Sequence, residues 1–522
     1  MGTPRYPVGM QDFARLRETG MTYVDKTEFI YRMANEGGEA YFLSRPRRFG
    51  KSLLVSTMRY YFEGRRDLFE GLAVDTLETK WTCHPVLLLD LSRGKFETLQ
   101  HLHDVLGEQC RKYEAQYDLP VDPQLSYGAR LGRIIDRAAE ATGERVVVLI
   151  DEYDAPMLDS LDDDTRLRQV RAIMRDFYSP LKAMADKLRF VFLTGITKFS
   201  QMSIFSELNN LNNISMVPGW DAICGITEDE IRRHMWRGVE DLARLNGCSP
   251  EQMMDRLRER YDGYHFSRAM VDIYNPFSLV KTFQNKEVIN HWFDTGTPTW
   301  LLGVMEKVNF ELNNLEGIVA ENESFNAPAE RAANPVAVLF QSGYLTIKGY
   351  DAEADLYTLG VPNREVREGL GKALIQYINV PLDNRSWLRE GFFAFRRGGD
   401  ISDFMELLKD FYASIPYDIS NDNERHYQAI LYAVLASFGA DVTCEDRTSR
   451  GRADLVLRLP DAIYIIELKY GRSVADAMEQ LHRKDYAAKY AHDGRPVRLL
   501  GINLSTETRT IDGWQLEANR NS

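Results

Sequence analysis

The sequence predicts an α/β protein made of two separate α/β modules with helical and mixed segments between them. Three observations carry this. Short apolar runs alternate with helical stretches from Tyr23 to about Ser215. From about Gly225 to Tyr264 the pattern is helical. Beyond Asn421 a second alternation begins, in the order α-β-β-α-β. A chain of 522 residues exceeds what one hydrophobic core organises, so about two to four domains are expected.

In the first module "AYFLS" (Ala40–Ser44) reads as a short strand and "KSLLVSTMRYYFEG" as the helix after it. Further apolar runs lie at Pro85–Leu91, Arg145–Asp151 and Arg189–Gly195. Each is short, β-rich and apolar on both faces, the signature of strands buried in a mostly parallel sheet. "TEDEIRRHM" opens a helix with Thr227 as its cap and an acidic first turn. "YDGYHFS" and "YNPFSL" are turn-rich breaks. A hairpin-like stretch, "GYLTIKGYDAEADLYTLGVPN", stands in a middle region with no legible chemistry. The last module has an amphipathic helix stopped by Gly439, the strands "ADLVLRL" and "AIYIIELKY", a helix "VADAMEQLHRKDYAAKYA", and a closing strand "VRLLGINLS". Segment boundaries are expected at roughly 1–220, 221–285, 286–415 and 416–522.

The bulk composition excludes several classes. Net charge is −13, so global charge does not draw the chain onto DNA or anionic lipid, and any nucleic-acid contact needs a local basic patch. Five scattered cysteines include no C-x-x-C pair, which argues against zinc and suits reduced thiols. The opening "MGTPRYPVGMQDF" has no apolar h-region, and no run approaches about 18 apolar residues. A cytoplasmic location without a membrane span is the expectation.

"SRPRRFGKSLL" (Ser44–Leu54) carries the first chemistry. A strand, a tight loop and a helix N-terminus form an anion site, because the first backbone N–H groups are free and the helix dipole is positive there. Lys51 would reach the β/γ-phosphates and Ser52 would place its hydroxyl on Mg²⁺. Gly50 admits close backbone approach. Arg47, Arg48, Phe49 and Leu53 complete the expected cradle. Arg45 stands where the usual phosphate-loop pattern has its first glycine, which matters only if that residue needs φ > 0; Arg45, Arg47 and Arg48 add positive charge. The run "VVVLIDEYD" ends in acids at the carboxyl end of a buried strand, the edge where open α/β sheets bind ligands. Asp151 suits the metal shell and Glu152 can orient or deprotonate an attacking water. Thr194, at the end of another strand, is the expected γ-phosphate sensor.

These motifs bring a family into view. "YVDKTEFI", "RPRRFGKSLL", "LIDEYD" and "YDGY…YNPFSL" resemble the bacterial and archaeal AAA-ATPase-like proteins, in many of which a PD-(D/E)XK nuclease-fold domain follows. The resemblance covers about the first 280 residues. It implies a P-loop NTPase sheet with a helical lid, ATP and Mg²⁺ as cofactors, and Arg45 as part of the family's own form of the loop.

The C-terminal module carries the second chemistry. Asp454 begins one strand, and Glu467 and Lys469 end the next. Residues two apart on a strand share a face, and a hairpin pairing sets Asp454 beside Glu467. Two such carboxylates make a hard-oxygen site for Mg²⁺ or Mn²⁺, which activates water against a phosphodiester, with Lys469 offsetting charge. Glu424 on the preceding helix can supply a third carboxylate, and Gln480 on the following one can steady the lysine or a phosphate, with Tyr486 on that same helix. An E-x-K alone is most often a surface ion pair; here the order of elements resembles the PD-(D/E)XK nuclease fold over about 100 residues, with Ala453 in place of the motif's proline. Basic residues, among them Arg447, Arg450, Arg452, Arg458, Arg472, Arg483 and Lys484, interleave with acids, so they suit phosphate contacts or a solvated face equally.

The resulting expectation is an ATP-binding and ATP-hydrolysing protein with a Mg²⁺-dependent nuclease-like domain acting on nucleic acid, DNA rather than RNA, and compatible with a homo-oligomer. Two alternatives stand beside it: an ATP-switched binding or signalling protein whose nuclease fold is catalytically silent, and an ATPase assembly whose C-terminus only oligomerises.

Overall fold

The computed structural model describes residues 4–92, 94–161, 163–198, 211–292, 315–327, 335–377, 386–415, 423–448 and 451–519, with side chains described except at 377, 447 and 448. The chain divides into two compact units, Met1–Phe310 with Val319–Asn363, and Glu311–Ile318 with Arg364–Ser522.

The first unit is built on five parallel strands, β1 (Ala40–Ser44), β2 (Val86–Asp90), β3 (Val146–Asp151), β4 (Leu188–Gly195) and β5 (Leu211–Asn213), in the order β2-β3-β4-β1-β5. All six residues of β3 are buried, as a strand covered on both faces requires. β4 lies between β1 and β3, so the loop after β1 and the acids after β3 flank its carboxyl end. β5, only three residues and without an apolar run, leaves no readable periodicity in the sequence.

The helical region after the sheet comprises Glu228–His234, Trp236–Leu245, Pro250–Tyr261 and Pro276–Asn285. Thr227 with Glu230, and Ser249 with Gln252, form capping boxes that satisfy free N–H groups at two of these starts. Ile231, Val239, Leu242, Met253, Leu257, Leu279 and Phe283 close one shared core, each such side chain contributing about 1.5–3 kcal/mol on burial. The middle hairpin forms as β7 (Thr346–Asp351) and β8 (Leu356–Gly360), joined in a three-stranded sheet by β6 (Ile318–Ala320).

The second unit centres on five strands, β9 (Asp441–Thr448), β10 (Gly451–Arg458), β11 (Ile463–Tyr470), β12 (Val497–Leu504) and β13 (Ile511–Ala518), in the order β13-β12-β11-β10-β9. β11 and β12 run parallel and the other neighbours antiparallel. The helices Glu424–Ser437 and Val474–Lys484 belong to this unit, and the first ends just before Gly439 at φ 76°. The expected order α-β-β-α-β is thus incomplete: β9 precedes the two readable strands and β13 follows the last. Both are edge strands, and "DVTCEDRT" is mostly polar, so neither shows the apolar run that marks a central strand.

Candidate functional site

In the nucleotide loop, Gly50 sits at φ 92° as the N-cap of the helix Lys51–Phe62, and Arg48 at φ 66°. Arg45 is not in the left-handed region. The position that usually holds the first glycine has no backbone need for one here. Arg45 is buried instead. Its guanidinium donates to the carbonyls of Ser44 (2.9 Å), Ser215 (2.7 Å) and Trp220 (3.1 Å) and lies 4.1 Å from the Phe266 ring. Burial pushes its pKa down to about 10. Arg45 therefore braces the loop from beneath rather than adding charge to its mouth, which corrects the expectation of three added cations. Arg48 donates to His291 O (3.3 Å) and lies over Phe277 (4.0 Å). Arg47 is exposed, Leu53 is half-buried and Gly50 is open to solvent.

Phe49, expected in the cradle, points inward. It is buried against Tyr264 (4.8 Å) and Phe266 (5.5 Å), and its carbonyl accepts from Gly225 N (3.1 Å). The distant motifs "YDGYHF" and "YNPF" are thus the packing against which the loop is shaped. Likewise Lys26 of "YVDKT" is buried and bonds both carboxylate oxygens of Glu230, at 2.5 and 2.7 Å.

The acids arrive from β3. Lys51 is buried; its ammonium donates to Arg45 O (3.2 Å) and Pro46 O (3.3 Å) and pairs with Glu152 at 3.3 Å. Ser52 hydrogen-bonds Asp151, whose carboxyl is pushed up to about 6, chiefly by burial and then by neighbouring Glu152. The loop and the acids do converge. Thr194 does not join them. It is fully buried and its hydroxyl donates to Leu43 O (2.8 Å), so it ties β4 to β1 instead of presenting a donor to a phosphate. Sequence reasoning gave no role to Asp154, which is fully buried and accepts from Ile196 N (3.0 Å), Thr197 N (2.6 Å) and Thr197 Oγ1 (2.8 Å). It locks the turn after β3 to the turn after β4, and its place in "DEYD" was the available signal.

In the second unit the pairing of β10 with β11 runs to Leu455–Ile466, so Asp454, one step on, faces Glu467. The Leu468 amide donates to Asp454 Oδ2 at 2.8 Å. Glu467 is fully buried: Oε1 accepts from Lys469 Nζ at 2.7 Å, while Oε2 has no partner. Lys469 is also buried, donates to Leu468 O (2.9 Å) and lies 3.6 Å from Glu424. Burial pushes Glu467 up to about 8 and Asp454 up to about 6, with Asp454 adding to the rise at Glu467 and Glu424 adding at both. Asp454, Glu467, Lys469 and Glu424 thus gather at one end of the sheet. Among the described residues, however, no group of three or more His, Cys, Asp or Glu forms a ready metal cluster; the Lys469 ammonium stands between Glu467 and Glu424. Gln480 Nε2 donates to Tyr486 OH at 3.5 Å instead of its amide oxygen accepting from Lys469. Tyr486 lies in the following turn, Tyr486–Tyr490, and not on the Gln480 helix. Arg452 pairs with Glu445 and Arg458 with Asp441; the Arg447 side chain and Arg450 lie outside the described residues.

A family model described as "Predicted AAA-ATPase" matches residues 7–205, and one described as "PD-(D/E)XK nuclease superfamily" matches residues 422–514. An uncharacterized protein in the vnfD 5′ region of Azotobacter chroococcum mcd 1 is 35% identical over 531 residues, covering 99% of this chain and 100% of its own. The chain belongs to the AAA-ATPase-like family with a C-terminal PD-(D/E)XK nuclease-superfamily domain. Two solved structures resemble this AAA-ATPase-like protein loosely. Aeropyrum pernix ORC1 in complex with DNA is 12% identical, with 66% of this chain and 90% of that one covered at a TM-score of 0.23. Aeropyrum pernix ORC2 (ADPNP-ADP complexes) is 12% identical, with 65% and 87% covered at 0.23. No helix among its described residues is long and apolar enough to cross a membrane.

Sequence reasoning also missed Glu445, which raises the Asp454 pKa from the neighbouring strand. It belongs to β9, the edge strand without a readable pattern.

Proposed function

We propose that this AAA-ATPase-like protein is an ATP-dependent, divalent-metal nuclease acting on DNA. On this reading its four segments are the ATPase sheet, the helical lid, a mixed linker and the nuclease module. The observation that supports the nuclease most directly is the bare Oε2 of Glu467 in a fully buried carboxylate beside Asp454. A buried carboxylate oxygen without a donor costs folding free energy. A hard cation offsets that cost, and two facing carboxylates are the donor set that Mg²⁺ or Mn²⁺ takes. Such a cation supplies an activated water and steadies charge on a phosphodiester oxygen. Asp454 and Glu467 would hold it, with Glu424 as a further oxygen donor once Lys469 turns toward the substrate phosphate. Gln480 would fix the Tyr486 hydroxyl beside the acids.

In the ATPase module, Lys51 would leave Glu152 for the β/γ-phosphates, and Ser52 with Asp151 would hold Mg²⁺. Glu152, released, would orient the attacking water. Arg47 is the loop cation open to the nucleotide; Arg45 and Phe49 shape the loop by packing.

The test uses the full chain. Asp454→Ala should abolish Mg²⁺- or Mn²⁺-dependent DNA cleavage while ATP binding persists, and Lys51→Ala should abolish ATP binding. A second reading, an ATP-switched binding protein with a silent nuclease fold, is favoured by the Lys469 ammonium lying between Glu467 and Glu424. Wild-type protein inert on single- and double-stranded DNA and RNA, with either metal and ATP, would select it.

A further inference from the structure

The β9–β10 ladder has a gap at the acid cluster. Pairing runs through Ala453–Asp446 and Leu455–Cys444 in a single register, yet the pair between them, Asp454 with Glu445, is missing. The cause is local: Glu445 sits at φ 51°, a left-handed conformation uncommon for a residue with a side chain. Such strain persists only where surroundings hold it, and it concentrates at functional sites.

The surroundings here are two side chains. Gln428 is 3% exposed and stands one helical turn after Glu424, on the same face. Its amide nitrogen donates to Asp454 O at 2.8 Å and to Glu445 Oε1 at 3.3 Å. Arg452 holds the other oxygen of Glu445 at 3.0 Å. One amide from the acidic helix thus reaches both residues of the missing pair.

We propose that Gln428 is a positioning residue for the acid cluster: it bridges the interrupted ladder, and by holding the Asp454 backbone it keeps that carboxylate facing Glu467. This rests on the nuclease reading above. The chemistry follows from geometry. Asp454 already receives the Leu468 amide on its side chain. Without the Gln428 bond the Asp454 carbonyl loses its donor at the interrupted rung of the ladder, and the two carboxylates are held less firmly toward one cation. Gln428 itself touches neither metal nor substrate.

The test is made on the full-length protein with Gln428→Met, which keeps length and burial and removes the donor. Bound Mn²⁺ is followed by electron paramagnetic resonance and cleavage by single-turnover kinetics. The expected result is a Mn²⁺ dissociation constant raised about tenfold and a matching rise in the metal concentration for half-maximal cleavage. ATP hydrolysis should stay near wild type, and the melting temperature should fall modestly, because the Asp454 carbonyl loses a buried donor. Glu445→Ala should leave the effect of Gln428→Met in place, because the deciding bond is to the Asp454 carbonyl. Wild-type Mn²⁺ affinity in Gln428→Met, beside a wild-type protein that binds Mn²⁺ and cleaves, overturns the positioning role and leaves the nuclease reading standing. A wild-type protein that neither binds Mn²⁺ nor cleaves overturns both.

Discussion

Lys51 and Glu152 form an ion pair at 3.3 Å, so the cation of the phosphate loop and the acid that follows β3 hold each other. On the proposed ATPase reading, that contact must open before either takes part in nucleotide chemistry. Glu152→Gln should free the lysine. ATP affinity is expected to rise a few-fold while hydrolysis falls by about 10²-fold or more. Fluorescent-nucleotide titration and phosphate release measure the two; parallel loss of both would contradict the assignment.

Arg45→Gly restores the usual loop consensus and is expected to do harm. It removes three bonds to carbonyl oxygens and the contact with Phe266, and it adds chain entropy. A loss of about 3 kcal/mol or more in stability, with weaker ATP binding, is the expected outcome in denaturant titration and nucleotide titration. Improved ATP binding would show that the position does want a glycine.

Buried Lys26 pairs with half-buried Glu230, joining the "YVDKT" motif to the helix Glu228–His234. Lys26→Met leaves Glu230 uncompensated and should cost about 3–5 kcal/mol. Adding Glu230→Gln removes that charge yet keeps an acceptor for the Thr227 amide, so the double variant should regain most of the loss. A double variant no better than the single would place the cost elsewhere.

Asp262 is 4% exposed with Oδ1 lacking a partner, and its carboxyl is pushed from 3.8 up to about 7 by burial, with Asp272 adding to the rise. The native state therefore keeps a proton that the unfolded chain has released. Stability from this group is fully present below about pH 4 and is lost as pH rises through about 7. Asp262→Asn should flatten that decline and raise stability at pH 8 by on the order of 1–3 kcal/mol. Melting curves from pH 4 to 8 check it; an unchanged slope would mean another group carries the dependence.

The central strands and both site motifs were legible because each is a local pattern. β1, β3, β4, β10, β11 and β12 carry apolar runs; Lys51 and Ser52 open the helix after β1, Asp151 ends β3, and Asp454, Glu467 and Lys469 lie within β10 and β11. β5, β9 and β13 were not legible, since short or polar edge strands take their hydrogen bonds from a neighbour rather than from their own periodicity. Thr194 and Phe49 show a related limit. Their spacing places them at the site, but their side chains turn to Leu43 and Tyr264, partners that no spacing reveals.

By itself, then, the sequence determined the kind of protein: a phosphate loop on one parallel sheet, an acid-and-lysine trio on a second sheet, and the family that joins them. Only the tertiary structure decided how these groups are held: Arg45 beneath its loop, Lys51 on Glu152, Gln428 across the gap between Asp454 and Glu445. Backbone periodicity and motif spacing are properties of neighbouring residues, whereas burial, ion pairing and the direction of a side chain depend on segments that meet only after folding.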